Sequence, residues 1–217
     1  MDSSPQSASG EVVLEGVGLS KRYGSVTALE GVDIEIRRGE VLAVVGDNGA
    51  GKSTLVKVLC GGAQPDDGYI LHRGEQVKFE GPFAARKRGI ETVWQDLALA
   101  PAIDVTGNIF LGREELRGPK WLPPMLQVLN QKSMARRAAE RLERLEIRTI
   151  STVRGLNAMS LSGGQRQAVA VARAAAWAED VLFMDEPTAA LGVKQSAAVL
   201  NLAKRAAADG LGVLVIT

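Results

Sequence analysis

Residues 46–54, which read GDNGAGKST, have the composition and spacing of a phosphate-binding loop. Its glycines would let backbone amides turn toward phosphate oxygens, the Lys52 ammonium would reach the terminal phosphates, and the Ser53 hydroxyl would be a ligand of Mg²⁺. The loop follows an apolar stretch typical of a strand and precedes a stretch typical of a helix, which is the context that this pattern requires. We therefore expect a nucleoside triphosphate to bind here. The nine residues of the expected phosphate site are Gly46, Asp47, Asn48, Gly49, Ala50, Gly51, Lys52, Ser53 and Thr54.

Two adjacent carboxylates, Asp185 and Glu186, follow the apolar stretch VLFM at residues 181–184. Ligands of open α/β sheets gather at the carboxyl ends of strands, which is where this pair would lie. Asp185 is expected to hold Mg²⁺, and Glu186 is expected to orient or deprotonate an attacking water as general base. An acidic pair alone is more often a helix cap or a solvated turn. Together with the phosphate loop upstream, it indicates hydrolysis of a nucleoside triphosphate.

The elements needed to position these groups are predicted along most of the chain. Apolar stretches that alternate with turn signals predict strands, and apolar residues at helical spacing predict helices. The last stretch, VLVI, is typical of a strand buried on both faces of a parallel sheet. The expected elements are several strands between residues 12 and 45, a helix over 51–60, a hairpin within 64–79, a strand at 181–184, a helix over 193–208 and a strand at 213–216.

Residues 95–178 are rich in Ala, Arg and Glu at helical spacing, and we interpret them as an inserted helical subdomain. In one helix of this segment Ser133 is expected to be the N-cap. The apolar residues expected to share one face of that helix are Met134, Ala138, Leu142 and Leu145. The ATP-binding core would then comprise residues 12–94 and 179–217, preceded by a flexible tail over residues 1–11.

The stretch LSGGQRQ at residues 161–167 lies just before a further helical stretch. It would form a second anion site at a helix N-terminus, although Ser-Gly-Gly is also an ordinary helix cap. These residues resemble the signature of the ATP-binding cassette (ABC) family, and the resemblance covers nearly the whole chain from about residue 12. In that family the signature faces the γ-phosphate bound by another subunit, so the resemblance implies a head-to-tail dimer that encloses two ATP molecules. The signature residues implied to contact ATP are Ser162, Gly163, Gly164 and Gln165.

Two further positions are similar to family positions. Tyr23, in LSKRYGS, resembles the aromatic residue that stacks on adenine, although a Tyr near a turn can as easily be a surface packing residue. Gln95, in VWQD, resembles the glutamine that joins the two lobes and approaches Mg²⁺ and water. The resemblance therefore adds Tyr23 to the ATP-binding residues and Gln95 to the metal ligands. Gln95 also joins Lys52 and Glu186 as an expected catalytic residue.

The residues around Gln95 resemble a narrower group, the cassettes that drive bacterial monosaccharide importers. This resemblance implies ATP-driven import of a ribose-, xylose- or fructose-type sugar. The implied partners are membrane permease subunits and, indirectly, an extracytoplasmic sugar-binding protein, and the implied location is the cytoplasmic face of the cell membrane. The proline-containing segment RGPKWLPPM at 117–125 is a candidate loop near the permease, but Pro-rich surface loops are ordinary.

Two features depart from the family pattern. Gly192 stands where the family usually has an aspartate that communicates across the dimer. Either this loop works through backbone contacts alone, or communication between the two sites is weakened. The family's histidine after the last strand is absent, because the chain ends at Thr217 and its one histidine, His72, lies in the predicted hairpin, where an exposed structural role is expected. We therefore expect a truncated cassette with reduced turnover, whose last strand has an uncovered edge that promotes aggregation.

Composition restricts the remaining possibilities. The chain has 217 residues, of which 46% are hydrophobic, and its formal net charge of +1 does not suggest a nucleic acid partner. Its longest apolar run is broken by Arg173 and is shorter than the roughly 20 residues needed to cross a bilayer. The polar N-terminus does not resemble a signal peptide, and the single cysteine, Cys60, cannot form an internal disulfide. These features favour a cytosolic chain.

We therefore predict an α/β fold, a P-loop NTPase of the ABC ATPase type. It would have a mainly parallel core sheet, an antiparallel β element near the N-terminus and the inserted helical subdomain, with ATP and Mg²⁺ as ligands. Two alternatives stay open. One is a soluble ABC protein that acts as a mechanical switch on nucleic acid or the ribosome, although such proteins commonly have two cassettes and basic surfaces. The other is a regulatory or inactive cassette that binds ATP without useful turnover.

Overall fold

A computed structural model describes residues 10–119, 121, 123, 126–144, 155–189 and 191–217 of the chain. The strands in these residues are β1 (Val12–Tyr23), β2 (Val26–Arg37), β3 (Val41–Val44), β4 (Asp67–His72), β5 (Glu75–Val77), β6 (Ile90–Val93), β7 (Leu116–Arg117), β8 (Val128–Leu129), β9 (Val181–Asp185) and β10 (Gly212–Ile216). The helices are α1 (Lys52–Leu59), α2 (Pro82–Lys87), α3 (Val105–Phe110), α4 (Gln131–Arg144), α5 (Gly163–Trp177) and α6 (Val193–Ala208).

The central sheet has the strand order β3-β10-β9-β6, and its pairings are parallel. Every residue of β10 is buried, which confirms the strand predicted to be buried on both faces. The expected uncovered edge of this strand is wrong, because β10 is hydrogen-bonded to β3 on one side and to β9 on the other. The edge strands are β6 and β3, and the residues of β3 are exposed or only half-buried.

Two apolar clusters cover the faces of the central sheet. Successive side chains of a strand point to opposite faces, and β9 follows this rule. Val181 and Phe183 pack in the cluster that contains α1 and the antiparallel strands. Leu182 and Met184 pack in the other cluster, with α3, α5 and α6. Burial on both faces explains why VLFM is a continuous apolar run without polar alternation.

A second sheet, with the order β2-β1-β4-β5, is antiparallel throughout. It confirms the antiparallel element near the N-terminus and the hairpin within residues 64–79. The β4–β5 turn places Arg73 and Gly74 at φ 51° and 78°, as the tight two-residue turns of hairpins require. Gly24, at φ 60°, lies in the turn between β1 and β2.

Residues 95–178 contain helices α3, α4 and α5, together with the two-residue pair β7–β8. The prediction of Ser133 as an N-cap is wrong, because α4 begins two residues earlier and the Ser133 amide donates to the Asn130 side chain at 3.3 Å. Met134 and Ala138 are buried as expected. Leu142 lies within α4, and Leu145 lies outside the described residues, as do residues 1–9 of the expected tail. The division into a core and a helical subdomain remains a proposal.

His72 is buried, so the prediction that it is exposed is wrong. It lies in β4, and its Nε2 is 2.8 Å from a carboxylate oxygen of Asp180, which comes just before β9. Arg73 donates to the same carboxylate through two nitrogens, each at 2.7 Å, and Arg38 pairs with it as well. We call these four residues the Asp180 cluster. The cluster joins the antiparallel sheet to the central sheet, a contact that no local pattern predicts.

Candidate functional site

The phosphate loop connects β3 to α1 and depends on two of its glycines. Gly49 and Gly51 have φ angles of 85° and 86°, a conformation that side chains with a Cβ rarely adopt. A Cβ on Gly51 would lie 2.1 Å from the carbonyl oxygen of Ala28, so this position also lacks space. Gly46 is less constrained by its surroundings, since a Cβ there would have its nearest neighbour, the Ala50 side chain, at 3.7 Å.

The Lys52 side chain is buried against its own loop. Its ammonium donates to the carbonyl oxygens of Gly46 at 2.5 Å and of Asp47 at 3.1 Å. These oxygens carry only partial charge, whereas a phosphate carries a full one and makes stronger charge-assisted hydrogen bonds. The loop therefore holds a cation beside the amides of an α-helix N-terminus, where an anion is favoured.

Ser53 and Asp185 are in direct contact although they are 132 residues apart in the sequence. The Ser53 hydroxyl donates to Asp185 Oδ1 at 3.0 Å. Burial raises the pKa of Asp185, the Ser53 hydrogen bond opposes this rise, and the neighbouring Glu186 charge adds to it. The net effect is that the pKa of Asp185 lies above its usual value, so a nearby cation would stabilise the charged form of this carboxylate.

The donor set at this point fits Mg²⁺. Carboxylate and hydroxyl oxygens are the ligands that this ion prefers, and it usually completes its shell with water and substrate phosphates. Within the described part of the chain, no group of three or more His, Cys, Asp or Glu side chains is placed to hold a metal ion. A cation here would thus depend on the oxygens of a bound nucleotide as well as on Ser53 and Asp185.

Glu186 has an unusual backbone conformation, with φ 47°. Its amide donates to the carbonyl oxygen of Ile216, the last residue of β10, at 3.1 Å. A non-glycine residue in this region costs on the order of 1 kcal/mol or more, and such residues cluster at functional sites. The neighbouring strand therefore holds Glu186 in a strained position at the end of β9.

A cavity of about 390 Å³ lies in front of the loop. Its walls include loop residues 48–54, Gln95 and Glu186, so the structure brings these predicted site residues together. Val26 and Ala28 also line it, and no sequence motif indicated either residue. They are alternate residues of β2 and therefore share one face of that strand. Alternation alone could not identify this face, since the neighbour of β2 was unknown.

Tyr23 is about half exposed and is not among the residues that line this cavity. It lies opposite Val26 in the pairing of β1 with β2, and Val26 is a lining residue. Tyr23 is therefore the strand partner of a lining residue, and its contact with a base stays a prediction.

The signature residues form the first turn of α5 and do not line the cavity. The Gln165 amide donates to the Ser162 hydroxyl at 3.3 Å, and the Gln165 side chain accepts from the Ser162 amide at 2.8 Å. This capping box fixes the helix start at Gly163, earlier than the sequence pattern indicated. The amides of Gly163 and Gly164 belong to the first turn, where a helix offers them no acceptor of its own.

Gly192 immediately precedes α6 and has a φ of −72°, a conformation that any residue can adopt. It has no side chain to accept hydrogen bonds from the first turn of that helix. The departure from the family aspartate is therefore not required by the backbone.

Comparison with known proteins assigns the family. Residues 29–189 match the model of the ABC transporter family. The chain is 47% identical to the fructose import ATP-binding protein FrcA of Rhizobium meliloti over 95% of its own length and 79% of that protein. It is 46% identical to the xylose/arabinose import ATP-binding protein XylG of Sulfolobus acidocaldarius, over 91% of its own length and 74% of that protein. The chain belongs to the ABC transporter family.

Solved structures agree with this assignment. A nucleotide-free ATP-binding cassette from an ABC transporter superposes with a TM-score of 0.78 at 27% identity and covers 94% of the chain and 81% of that cassette. A bacterial ABC transporter cassette described as dimeric has a TM-score of 0.73 at 24% identity and covers 94% of the chain and 87% of that cassette. The predicted α/β fold of the ABC ATPase type is thereby confirmed. No helix within the described residues is long and apolar enough to span a membrane.

Proposed function

We propose that this chain binds Mg·ATP in the 390 Å³ cavity and hydrolyses it. The observation that carries the proposal is the 3.0 Å hydrogen bond between Ser53 and Asp185, which joins the phosphate loop to the acidic end of β9. Glu186, the next residue, lines the same cavity. A phosphate-binding group, a metal-binding pair and a base are thus within one site, as phosphoryl transfer to water requires.

In this proposal Lys52 exchanges at least one of its two carbonyl partners for a terminal phosphate of ATP. The exchange replaces a partial charge by a full one, so it favours binding. Ser53 and Asp185 hold Mg²⁺, and this ion, when bound, neutralises charge on the phosphates. Tyr23 contacts the adenine base.

Glu186 orients or deprotonates the attacking water, and Gln95 approaches the same water and the metal. Their common position on the cavity wall supports these roles. The backbone strain at Glu186 supports them too, since the fold holds that residue where the carboxylate is needed and not where its backbone is most stable.

The signature residues would act on a second copy. Ser162 and the amides after it do not line the cavity of their own chain, so a contact with a γ-phosphate requires another subunit. One structural neighbour is described as a dimeric cassette, and the head-to-tail arrangement proposed for this chain comes from the family resemblance of its signature residues. Ser162 and Gly163 are exposed and Gly164 is half-buried, so an anion could reach the first turn of this helix.

We further propose that the chain energises the import of a monosaccharide. The relatives are named as ATP-binding proteins of fructose and of xylose/arabinose import. A permease would be the direct partner, at the cytoplasmic face of the membrane, and a sugar-binding protein an indirect one. Several residues of the Pro-rich segment 117–125 lie outside the described residues, and its position near the permease stays a hypothesis.

Hydrolysis is tested by steady-state release of phosphate. Glu186→Gln should lower the rate by about 10² to 10⁴-fold with little change in ATP affinity, because it removes the base and keeps the shape. Lys52→Ala should instead remove most of the affinity for a fluorescent ATP analogue. Glu143→Gln, an exposed change on α4, is the matched control and should leave both quantities unchanged. Equal rates for Glu186→Gln and the control would refute the assignment of the base.

The dimer is tested on the same variant by light scattering with and without ATP. Glu186→Gln should accumulate a dimer at saturating ATP, since hydrolysis no longer removes the ligand. Adding Ser162→Arg, which fills the expected anion site with a bulky side chain, should prevent this. If the Glu186→Gln variant stays monomeric at saturating ATP and high protein concentration, the head-to-tail arrangement is contradicted.

Sugar import is tested by uptake of labelled fructose, xylose and ribose in cells that contain the permease, the binding protein and this chain. Uptake of one sugar that disappears with Glu186→Gln supports the proposal. ATP hydrolysis without any sugar uptake would favour the mechanical-switch alternative, and ATP binding without hydrolysis would favour the regulatory cassette.

A further inference from the structure

The end of β1 that carries Tyr23 is fixed from outside its own hairpin. The pairing of β1 with β2 is irregular there, with shifts of register on both sides of Lys21. An irregular ladder constrains the chain less than a regular one, because some backbone groups are left without a strand partner. Another element must therefore hold this end of the strand.

Asp66, in the turn just before β4, supplies that hold. Its Oδ2 accepts a hydrogen bond from the Arg22 amide at 2.7 Å, and its Oδ1 pairs with the Lys21 ammonium at 2.7 Å. Its own amide donates to the Ser20 carbonyl at 2.8 Å. One residue thus contacts three consecutive positions directly before Tyr23.

The Lys21 side chain continues this chain of contacts to the aromatic ring. Its ammonium lies 5.6 Å from the centroid of the Tyr23 ring, within the range of a cation–π contact. Lys21 and Tyr23 are alternate residues of one strand and so share a face. The same ammonium is held by Asp66, so the carboxylate constrains the ring as well as the backbone.

The hairpin end fixed in this way borders the nucleotide cavity. Val26 lines the cavity and is the partner of Tyr23 in the β1–β2 register. A half-exposed aromatic ring next to a residue that lines the cavity is suited to stack on a flat base, and such stacking is sensitive to the position of the ring.

We propose that Asp66 is a positioning residue for the base of the bound nucleotide, acting through Lys21 and the Arg22 amide on Tyr23. The inference rests on the proposed function and adds a residue, outside the phosphate loop and the cavity lining, that controls affinity for the base. It does not involve the phosphates. Asp66 therefore affects the binding affinity for nucleoside triphosphates and leaves the affinity for inorganic tripolyphosphate unchanged.

The test compares the affinities of the full chain for Mg·ATP and for magnesium tripolyphosphate by isothermal titration. Asp66→Ala should weaken ATP binding by about 10-fold, a part of what one stacked base contributes, and leave tripolyphosphate binding unchanged. Asp66 is exposed and its ion pair stabilises the fold only slightly, so the variant should fold. Asp33→Ala is the matched control, because Asp33 also accepts a β1 amide, that of Gly18 at 2.7 Å, away from the cavity.

A double-mutant cycle separates positioning from a general structural effect. If Asp66 acts through the ring, adding Asp66→Ala to Tyr23→Ala should cost no further ATP affinity. Additive losses, equal weakening of both ligands, or an unchanged ATP affinity would each overturn the inference. If Lys52→Ala loses neither ligand, the proposed function itself fails, which is a result distinct from all of these.

Discussion

The strand β9 has an aspartate at each end, and the two have opposite surroundings. Asp180, just before the strand, is 0% exposed, and Asp185, its last residue, is 5% exposed. Asp180 is contacted by His72, Arg73 and Arg38. Asp185 has the neutral hydroxyl of Ser53 as its hydrogen-bond partner. Burial is therefore the same, and the difference lies in the charge of the partners.

The pKa directions follow from those partners. Burial alone would raise the pKa of Asp180, but the hydrogen bonds from Arg73 and His72 and the Arg38 charge outweigh it, so its pKa is lowered. Burial raises the pKa of Asp185, and the Ser53 hydroxyl does not offset it. Removing a buried carboxylate that is paired with cations leaves uncompensated charge, whereas a buried carboxylate with a neutral partner remains able to bind a cation.

The largest effect should come from removing the paired carboxylate. Asp180→Ala removes the carboxylate that pairs with both arginines of the cluster and should lower the free energy of unfolding by about 3 kcal/mol, the low end for buried pairs. We take the low end because the side chains of Arg38 and Arg73 are 33% and 54% exposed, so water can partly solvate their charges in the variant. Urea unfolding measures it, with the exposed neighbour Glu179→Ala as control. If Asp180→Ala is as stable as Glu179→Ala, the paired Asp180 does not differ from Asp185 in its importance for stability, and the comparison fails.

Asp185→Asn should affect stability far less than Asp180→Ala. The raised pKa means that folding disfavours the charged form, so a neutral side chain of the same shape should change the free energy of unfolding by no more than about 1.5 kcal/mol, the value of one hydrogen bond. The same change should weaken ATP binding in Mg²⁺ more than in EDTA. Urea unfolding without nucleotide and titration with ATP check the two parts. A stability loss equal to that of Asp180→Ala would contradict the comparison.

The Asp180 cluster should also make stability depend on pH through His72. Burial lowers the pKa of His72 below its ordinary 6.5, and the hydrogen bond to Asp180 only partly opposes this. As pH falls through 6.5 the unfolded chain binds the proton first, so this stabilisation is present above that pH and is lost below it. The slope from one proton is at most about 1.4 kcal/mol per pH unit.

His72→Gln should flatten the dependence between about pH 7 and pH 5, the range around the ordinary pKa of a histidine. Urea midpoints across this range measure it. Protonation of Asp180 does not contribute in this range, because its pKa is lowered and it takes up its proton in more acidic solutions. An unchanged slope in the variant would assign the pH dependence to other groups.

The smallest effect concerns a carboxylate added at an exposed position. Gly192→Asp supplies an N-cap to α6, and it should raise the free energy of unfolding by a few tenths of a kcal/mol, about 0.3 to 1 when the helix dipole is included. Thermal unfolding checks this. Cooperativity of ATP hydrolysis in the same variant tests the dimer communication that the family aspartate implies. A destabilised variant would show that α6 does not begin as described.

Local patterns predicted most of the fold. The continuous apolar run before Asp185 and the final VLVI stretch became β9 and β10, and the helix over residues 193–208 has the predicted bounds. Errors arose where two patterns competed. Ser133 is a good capping residue, yet Asn130 is one too and lies nearer the true helix start. The uncovered edge was predicted for β10, which instead lies between β3 and β9. The order of strands in a sheet depends on the path of the chain and not on local sequence.

The sequence by itself determined the chemistry of the site: a glycine loop with Lys52 and Ser53, and an acidic pair after a buried strand. These are local features, since backbone conformation and side-chain type decide them within a few residues. Only the tertiary structure decided which distant groups meet. The contact of Ser53 with Asp185, the burial of His72 against Asp180 and the hold of Asp66 on the end of β1 join residues 132, 108 and 44 positions apart. Such contacts depend on how the sheets pack, because burial and partner charge are set by the assembled core and not by the neighbours in sequence.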